Sequence, residues 1–381
     1  MGLHFGPWER AFLVARRAWD DKLASVMNLG LIFGGRSAEH EVSLVSARCL
    51  SAVLDRTKYN VVPIGITREG TWVMPRDLDE ALTKGLVEVA SDPVLLAPDP
   101  VHPGLRVVDG QLLPLDVVFP VLHGPYGEDG TVQGLLELAG VPYAGAGVAA
   151  SAVAMDKELM KAVFKAAGLP QVEYLVLRDR GAAPQSCVAE VEDALDYPMF
   201  VKPANMGSSV GITKAHDRDE LVESLEVAFR YDRKVIVEAS CVGRELECAV
   251  LGNVTPEVSL PGEVVPANEY YDYEAKYTEG KMRFAIPAPL SEAQREEVRR
   301  LAAAAFTAID CAGFARVDFF IEEPGGRVLV NEINTLPGLT EMSAFPKLWE
   351  ASGIPYAELA DRIIALALER HAARAALLTQ R

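Results

Sequence analysis

The sharpest chemical signal lies in two apolar segments, GFARVDFFIEE (313–323) and RVLVNEIN (327–334), separated by Pro324-Gly325-Gly326. Side chains alternate across a strand, so Arg316, Asp318 and Phe320 share one face of the first, and Val328, Val330, Glu332 and Asn334 one face of the second. Pairing Glu323 with Arg327 around the Pro-Gly-Gly turn then sets Asp318 opposite Glu332 and Arg316 opposite Asn334. Facing carboxylates among apolar neighbours repel each other, and their desolvation is costly unless a cation lies between them. An oxygen-donor set of Asp318, Glu332 and Asn334 suits magnesium or manganese, which commonly also take phosphate oxygens. The competing reading is a surface hairpin whose charges face water.

A partner for such ions is present in VKPANMGSSVG (201–211), where a strand delivers Lys202 into a glycine-serine loop. Gly207 and Gly211 permit backbone angles that turn N–H groups onto an anion, and Ser208 and Ser209 add hydroxyl donors. No GKS or GKT closes a Walker pattern, and the dinucleotide G-x-G-x-x-G is absent, so a plain flexible hairpin loop competes with a phosphate cradle. Gly34-Gly35-Arg36-Ser37 resembles half of a dinucleotide turn and raises a nicotinamide dehydrogenase as a rival. The third glycine is missing, and no acidic residue ends a second strand at the required distance. Glu39 opens the following helix; either it stabilises that helix's N-terminus or it receives a ligand ammonium. His123, in LHGPYGEDG at a strand's carboxyl end, is either a ligand-facing group or a structural hydrogen-bonder. Lys276 and Tyr277, in YDYEAKY (271–277), lie in a lid or an ordinary solvated loop.

The elements that must position these groups read as α/β. The chain has 381 residues, 50% hydrophobic and 24% charged, which excludes disorder and gives two or three domains. LGLIFGG, a helix over SAEHEVSLVSARCLSAVL with Val42, Val45, Cys49, Leu50 and Val53 as its apolar positions, VVPIGIT and LDVVFPVLHG predict an open, mostly parallel sheet. Residues 83–114 read as loop. Beyond an Ala-rich helical stretch from Gly147 to Gly168, VEYLVL, PMFVKP, KVIVEA and RELECAVLG read as strands, and 291–309 as a helix. The expected division is an extension over 1–26, an N-terminal domain over 27–146, a central domain over 147–240 and a C-terminal domain over 241–381. In the extension Trp8, Phe12, Ala15 and Trp19 fall at helical spacing, and an appended segment ahead of Met27 is the plainer alternative.

Charge narrows the partners. With 37 Lys plus Arg against 54 Asp plus Glu, the net charge of −17 disfavours nucleic acid and anionic membranes. An anionic small ligand must therefore be held by a local cluster of cations and N–H groups, or by metal ions. The five cysteines show no C-x-x-C spacing and read as reduced thiols of a cytoplasmic protein, and no apolar run reaches the roughly 20 residues that span a bilayer.

Taken together, GGRSAEHEVS, LHGPYGEDGTVQG, MDKELMK, VKPANMGSSVG, YDYEAKY, ARVDFF and NEINTLPGLTEMS resemble the D-alanine:D-alanine ligases of the ATP-grasp superfamily, in order and over residues 27 to 370. The resemblance implies ATP held between central and C-terminal α+β domains, with amino acids reaching in from the N-terminal one. It implies that Lys157 and Lys202 bind ATP phosphates beside Gly207 and Ser209, that Glu238 reaches the adenine and that Glu245 holds the ribose. Asp318, Glu332 and Asn334 would hold two Mg2+ or Mn2+ ions. Glu39 would anchor the first D-alanine's ammonium, linked through Ser208 to Tyr277, with His123 nearby and Lys276 on the transferred phosphate. Ser343 would bind the second D-alanine's carboxylate, and Arg316 with the Gly338 N–H would stabilise the oxyanion. The implied activity is ADP-forming ligation of two D-alanines through a D-alanyl phosphate, for peptidoglycan precursor synthesis, by a homodimer. A D-lactate or D-serine variant and a silent ATP-binding regulatory module are the alternatives. Tyr277 favours the dipeptide former, because the D-lactate relatives carry histidine there. The sequence departs from the pattern at Ala239, where many relatives carry Lys, and in its first 26 residues.

Overall fold

The computed structural model describes residues 26–178, 184–207, 210–266 and 282–377. Residues 1–25, Ser208, Ser209, Lys276 and Tyr277 lie outside these, and with them the expected N-terminal helix and the YDYEAKY lid.

The N-terminal part is built on a β-α-β unit of β1 (Met27–Gly34), α1 (His40–Val53) and β2 (Tyr59–Ile66). β1 lies between β2 and β7 (Val117–Val121), parallel to both. Covered on both faces, β1 reads as a continuous apolar run, with Leu29, Leu31, Ile32 and Phe33 fully buried. The sheet is not mostly parallel. β3 (Trp72–Pro75), β4 (Ser91–Leu96), β5 (Gly104–Val107) and β6 (Leu112–Pro114) extend it with antiparallel pairings, in the order β6-β5-β4-β3-β2-β1-β7, with α2 (Leu78–Lys84) between β3 and β4. Much of 83–114 is thus strand. Its strands are short and interrupted by proline, so their alternation is faint, yet Val94 and Leu96 still point into the core.

The α1 face also differs from the expected one. Leu44, Ala47 and Leu50 are buried together with Ser43, Ser46 and Ser51, whereas Val45 is exposed. The serines are inside because they hydrogen-bond there: Ser43 Oγ accepts from Gly34 N at 2.8 Å and donates to Val121 O, joining the ends of β1 and β7.

After α3 (Thr131–Ala139), α4 (Val148–Met155) and α5 (Lys157–Ala166), a four-stranded antiparallel sheet follows in the order β10-β9-β11-β8. Its strands are β8 (Tyr174–Arg178), β9 (Met199–Pro203), β10 (Thr213–Ala215) and β11 (Lys234–Ala239), with α6 (Val188–Glu192) before β9 and α7 (Arg218–Phe229) before β11. Met199, Val201, Val235 and Val237 pack under Leu221, Leu225 and Ala228 of α7. Period-2 geometry sends Lys202 and Glu238 to the opposite face.

The last sheet has the order β15-β14-β12-β16-β17, with β13 (Glu257–Val258) on β12. It comprises β12 (Gly243–Gly252), β14 (Gly262–Pro266), β15 (Met282–Ala285), β16 (Gly313–Glu322) and β17 (Val328–Asn334). Beneath it runs α8 (Glu292–Ala308), opened by a capping box of Ser291 and Gln294. Leu246, Cys248, Val250, Val317, Phe319 and Ile321 face α8 through Val298, Leu301, Ala305 and Phe306. The other face is apolar near Phe314, where it meets α9 (Ala344–Ala351), α10 (Tyr356–Ala375) and β7, and polar near Asp318. Phe314, 1% exposed, packs against Phe119 and Phe345 with ring centroids 5.9 and 5.4 Å away. Phe314→Ala is therefore expected to cost about 3–5 kcal/mol in denaturant unfolding; a cost under about 1 kcal/mol would show that this contact does not tie the sheets together.

Candidate active site

The hairpin places its polar groups as expected, by a different route. Arg316 pairs with Asn334 and Asp318 with Glu332, but at the tip Glu322 N donates to Arg327 O, so the loop is one residue longer than the Pro-Gly-Gly reading. A β-bulge at Asn331 restores the register, since Phe319 pairs with Val330 while Asp318 pairs with Glu332. The bulge also turns Val328 and Val330 onto the α8 face, away from Glu332. The adjacent strand adds two carboxylates: Glu247 lies opposite Asp318 and Glu245 opposite Phe320.

Arg316 closes a bidentate fork on Asp318, Nε to Oδ1 and Nη2 to Oδ2 both at 2.7 Å, and its Nε lies 3.4 Å from Glu247 Oε1. Asn334 Nδ2 donates to Asp318 Oδ2 at 3.0 Å. Asp318 and Glu247 thus hold one guanidinium between them, with Glu332 paired opposite Asp318 and Glu245 two positions before Glu247 on β12. The described residues hold no cluster of three or more His, Cys, Asp or Glu spaced for a metal ion. Carboxylates in excess over cations, with an Asn oxygen alongside, are nevertheless the donor chemistry that suits a hard divalent ion.

Across the cleft, Lys202 Nζ lies 2.5 Å from Glu238 Oε2, and Lys161 Nζ lies 2.9 Å from Glu238 Oε1. Burial works to raise the Glu238 pKa, but the two lysines override it and hold the carboxyl down at about 2. Burial works to lower the Lys202 pKa, and Glu238, followed by Glu332 and Glu245, outweighs it and raises that pKa. Lys202 therefore faces the carboxylates of β12 and β17. Lys157, in the first turn of α5, donates from Nζ to Met206 O at 2.7 Å, so a second lysine reaches the same loop. The expected cation cluster is thus present on an acidic protein.

A depressed Glu238 has a pH signature. Its contribution to stability is complete above the ordinary carboxyl value of 4.5 and is lost as pH falls through about 2. Unfolding free energies between pH 5 and 2.5 are expected to fall more steeply for the unaltered protein than for Glu238→Gln; equal slopes would contradict the assignment.

The N-terminal part supplies a third set. Glu39, 7% exposed, is the N-cap residue of α1, but its carboxylate makes no capping bond to that helix. A Cβ on Gly124 would stand 2.7 Å from Glu39 Oε2, and one on Gly207 3.2 Å from the same oxygen. Gly124 adopts φ +73°. Gly207 takes no left-handed angle, contrary to its expected role; it serves by lacking a side chain where the carboxylate passes. Gly211, at φ +73°, does turn the chain as expected. His123 is buried, with Ser46 Oγ 3.1 Å from Nε2 and Glu128 Oε1 3.9 Å from Nδ1. Burial works to lower the His123 pKa, but Glu128, Glu39 and the Leu336 carbonyl outweigh it and raise it. Burial raises the Glu128 pKa as well. Leu336 begins the turn containing Gly338 and Ser343, where a Cβ on Gly338 would stand 2.6 Å from Ser343 Oγ. Ser343 is the N-cap residue of α9, but its Oγ makes no capping bond to the helix and instead accepts from Thr340 N at 3.1 Å.

A family model described as D-ala D-ala ligase N-terminus matches residues 28–146, and one described as D-ala D-ala ligase C-terminus matches 163–365. The chain belongs to the D-alanine–D-alanine ligase family. The D-alanine–D-alanine ligase of Heliobacterium modesticaldum is 51% identical over 358 residues, 93% of this chain and 98% of that protein. That of Halothermothrix orenii is 49% identical, covering 91% and 99%. Among solved structures, the D-alanine-D-alanine ligase from Coxiella burnetii superposes with a TM-score of 0.80 at 37% identity, over 91% of this chain and 95% of that one. The VanG D-Ala:D-Ser ligase from Enterococcus faecalis gives 0.82 at 35%, over 90% and 99%. The ATP-grasp architecture expected from the motifs is the family's fold.

Lys161, Glu128, Glu247 and Ser46 escaped the sequence reading. The strand alternation in RELECAVLG could have found Glu247 beside Glu245; Lys161 closes the MDKELMK motif, but its spacing gives no sign of its partner, 77 positions along the chain.

Proposed function

We propose that the chain joins two D-alanines to D-alanyl-D-alanine, consuming ATP and releasing ADP and phosphate, in peptidoglycan precursor synthesis. One observation carries this reading: the loop from Lys202 to Gly207 meets Glu39 at one end while Lys202 faces Glu245 and Glu332 at the other. An amino-acid anchor and a phosphate lysine thus flank one cleft.

A carboxylate is a poor acyl donor, so the first D-alanine's carboxylate oxygen attacks the γ-phosphorus, giving an acylphosphate and ADP. Glu39 holds that amino acid's ammonium, and Lys157 and Lys202 offset the charge of the phosphates, with Glu238 and Glu245 on the nucleoside side. Ser208, Ser209, Lys276 and Tyr277 complete this arrangement in the family pattern. Asp318, Glu332 and Asn334 would hold two divalent ions, Mg2+ or Mn2+, which when bound neutralise charge on the transferring phosphoryl group. The second D-alanine, its carboxylate on Ser343 at the start of α9, loses an ammonium proton to solvent, attacks the acyl carbon as the free amine, and gives up a second nitrogen proton to solvent once the C–N bond has formed. Arg316 and Gly338 N–H donate to the oxyanion, and phosphate leaves as the amide forms. His123, held by Ser46 and Glu128, borders both amino acids. Among the described residues no helix is long and apolar enough to cross a membrane; we place the enzyme in the cytoplasm, as a homodimer, divided as the sequence suggests at about 146 and 240.

Incubation with ATP, magnesium and D-alanine is expected to yield ADP and dipeptide in equal amounts. Absence of both would reject the proposal, and ADP with a mixed product in the presence of D-lactate or D-serine would revise the second substrate.

A further inference from the structure

The proposed nucleotide site gives roles to Lys157, Lys202 and Glu238 but none to Lys161, one turn further along α5. Lys161 is 1% exposed, with Nζ 2.9 Å from Glu238 Oε1 and 5.4 Å from the centroid of the Tyr174 ring. Burying an ammonium this deeply is unfavourable without a fixed opposite charge. Glu238, 2% exposed, is shared between this lysine and Lys202. The two lysines differ in their freedom. The Lys202 side chain is 12% exposed and is drawn toward Glu245 and Glu332 across the cleft, whereas Lys161 is enclosed. A triphosphate entering the cleft competes with Glu238 for Lys202. If Glu238 had no other partner, Lys202 could leave only by abandoning a bare buried carboxylate, a costly state.

We propose that Lys161 is a positioning residue, the fixed counter-ion that keeps Glu238 neutralised so that Lys202 can transfer from Glu238 to the nucleotide phosphates. The inference rests on the nucleotide reading above. It makes Lys161 a determinant of phosphate affinity without contact with the nucleotide.

Calorimetric titration of the full chain with Mg2+ and the non-hydrolysable ATP analogue AMP-PNP tests it, with adenosine as the phosphate-free ligand. Lys161→Met is expected to weaken AMP-PNP by about tenfold or more while shifting adenosine by less than about twofold. Lys161→Met/Glu238→Gln, which removes the stranded carboxylate too, is expected to return the ratio of AMP-PNP to adenosine affinity to within about threefold of that of the unaltered protein, adenosine taking up any loss of the adenine contact of Glu238 itself. In steady state the single variant should raise the KM for ATP with little change in kcat. Unchanged AMP-PNP affinity in Lys161→Met overturns the proposal. So does a loss shared equally by adenosine, or one that the second substitution does not recover, since either reports packing rather than charge. Failure of the unaltered chain to bind AMP-PNP rejects the nucleotide reading itself. If Lys161→Met does not fold, lysine side-chain nitrogen NMR on the unaltered protein decides: AMP-PNP should move the Lys202 ammonium resonance and leave that of Lys161 in place, and any other pattern overturns the proposal.

Discussion

Arg316→Lys is expected to lower kcat for dipeptide formation by about 10²–10³-fold, the range seen when an oxyanion donor is removed. The substitution keeps the charge but not the planar fork that meets both Asp318 oxygens at 2.7 Å. In the structure that fork is aimed by Asp318 and Glu247, so the guanidinium is oriented before any substrate arrives. An ammonium cannot be held in this way and would be drawn toward one carboxylate. Steady-state rates at saturating ATP and D-alanine measure the effect, and AMP-PNP affinity should change far less. A lysine variant with nearly full turnover would remove Arg316 from the chemistry and leave it as a brace for Asp318.

Glu332→Gln is expected to reduce turnover by more than about a hundredfold, beyond the usual effect of groups that only orient a metal ligand. The charge is removed while the shape is kept, so thermal unfolding should change little. The loss should be partly relieved at high magnesium or manganese concentration, because the deficit is one of ion affinity. Near-normal rates, or a deficit insensitive to either ion, would show that the β16–β17 face does not bind the ions. Since Glu332 also helps raise the Lys202 pKa, a small change in nucleotide affinity should accompany the main effect.

Much of this site was legible because it depends on alternation and on strand ends. Lys202, Asp318 and Glu332 could be given a face from their neighbours alone, and His123 and Glu39 an edge. The hairpin was read correctly for an incomplete reason. A loop one residue longer than assumed would have moved Asp318 opposite Asn331, and the bulge at Asn331 undoes that shift. No local pattern announces a bulge, because the extra residue is set by packing on both faces. The same limit hid the serine face of α1: Ser43 is buried for partners on β1 and β7 and Ser46 for the His123 ring, and apolar periodicity does not register hydroxyls turned inward. The outer strands of the N-terminal sheet escaped because short, proline-broken segments carry too little periodicity.

That compensation within the hairpin separates its exposed turn from its working end. Changes in length around Gly325 and Gly326 can be taken up before Glu332, much as an expansion joint takes up movement in a bridge. The tip is accordingly a suitable graft point for a reporter peptide, since lengthening it there need not disturb the opposing acids.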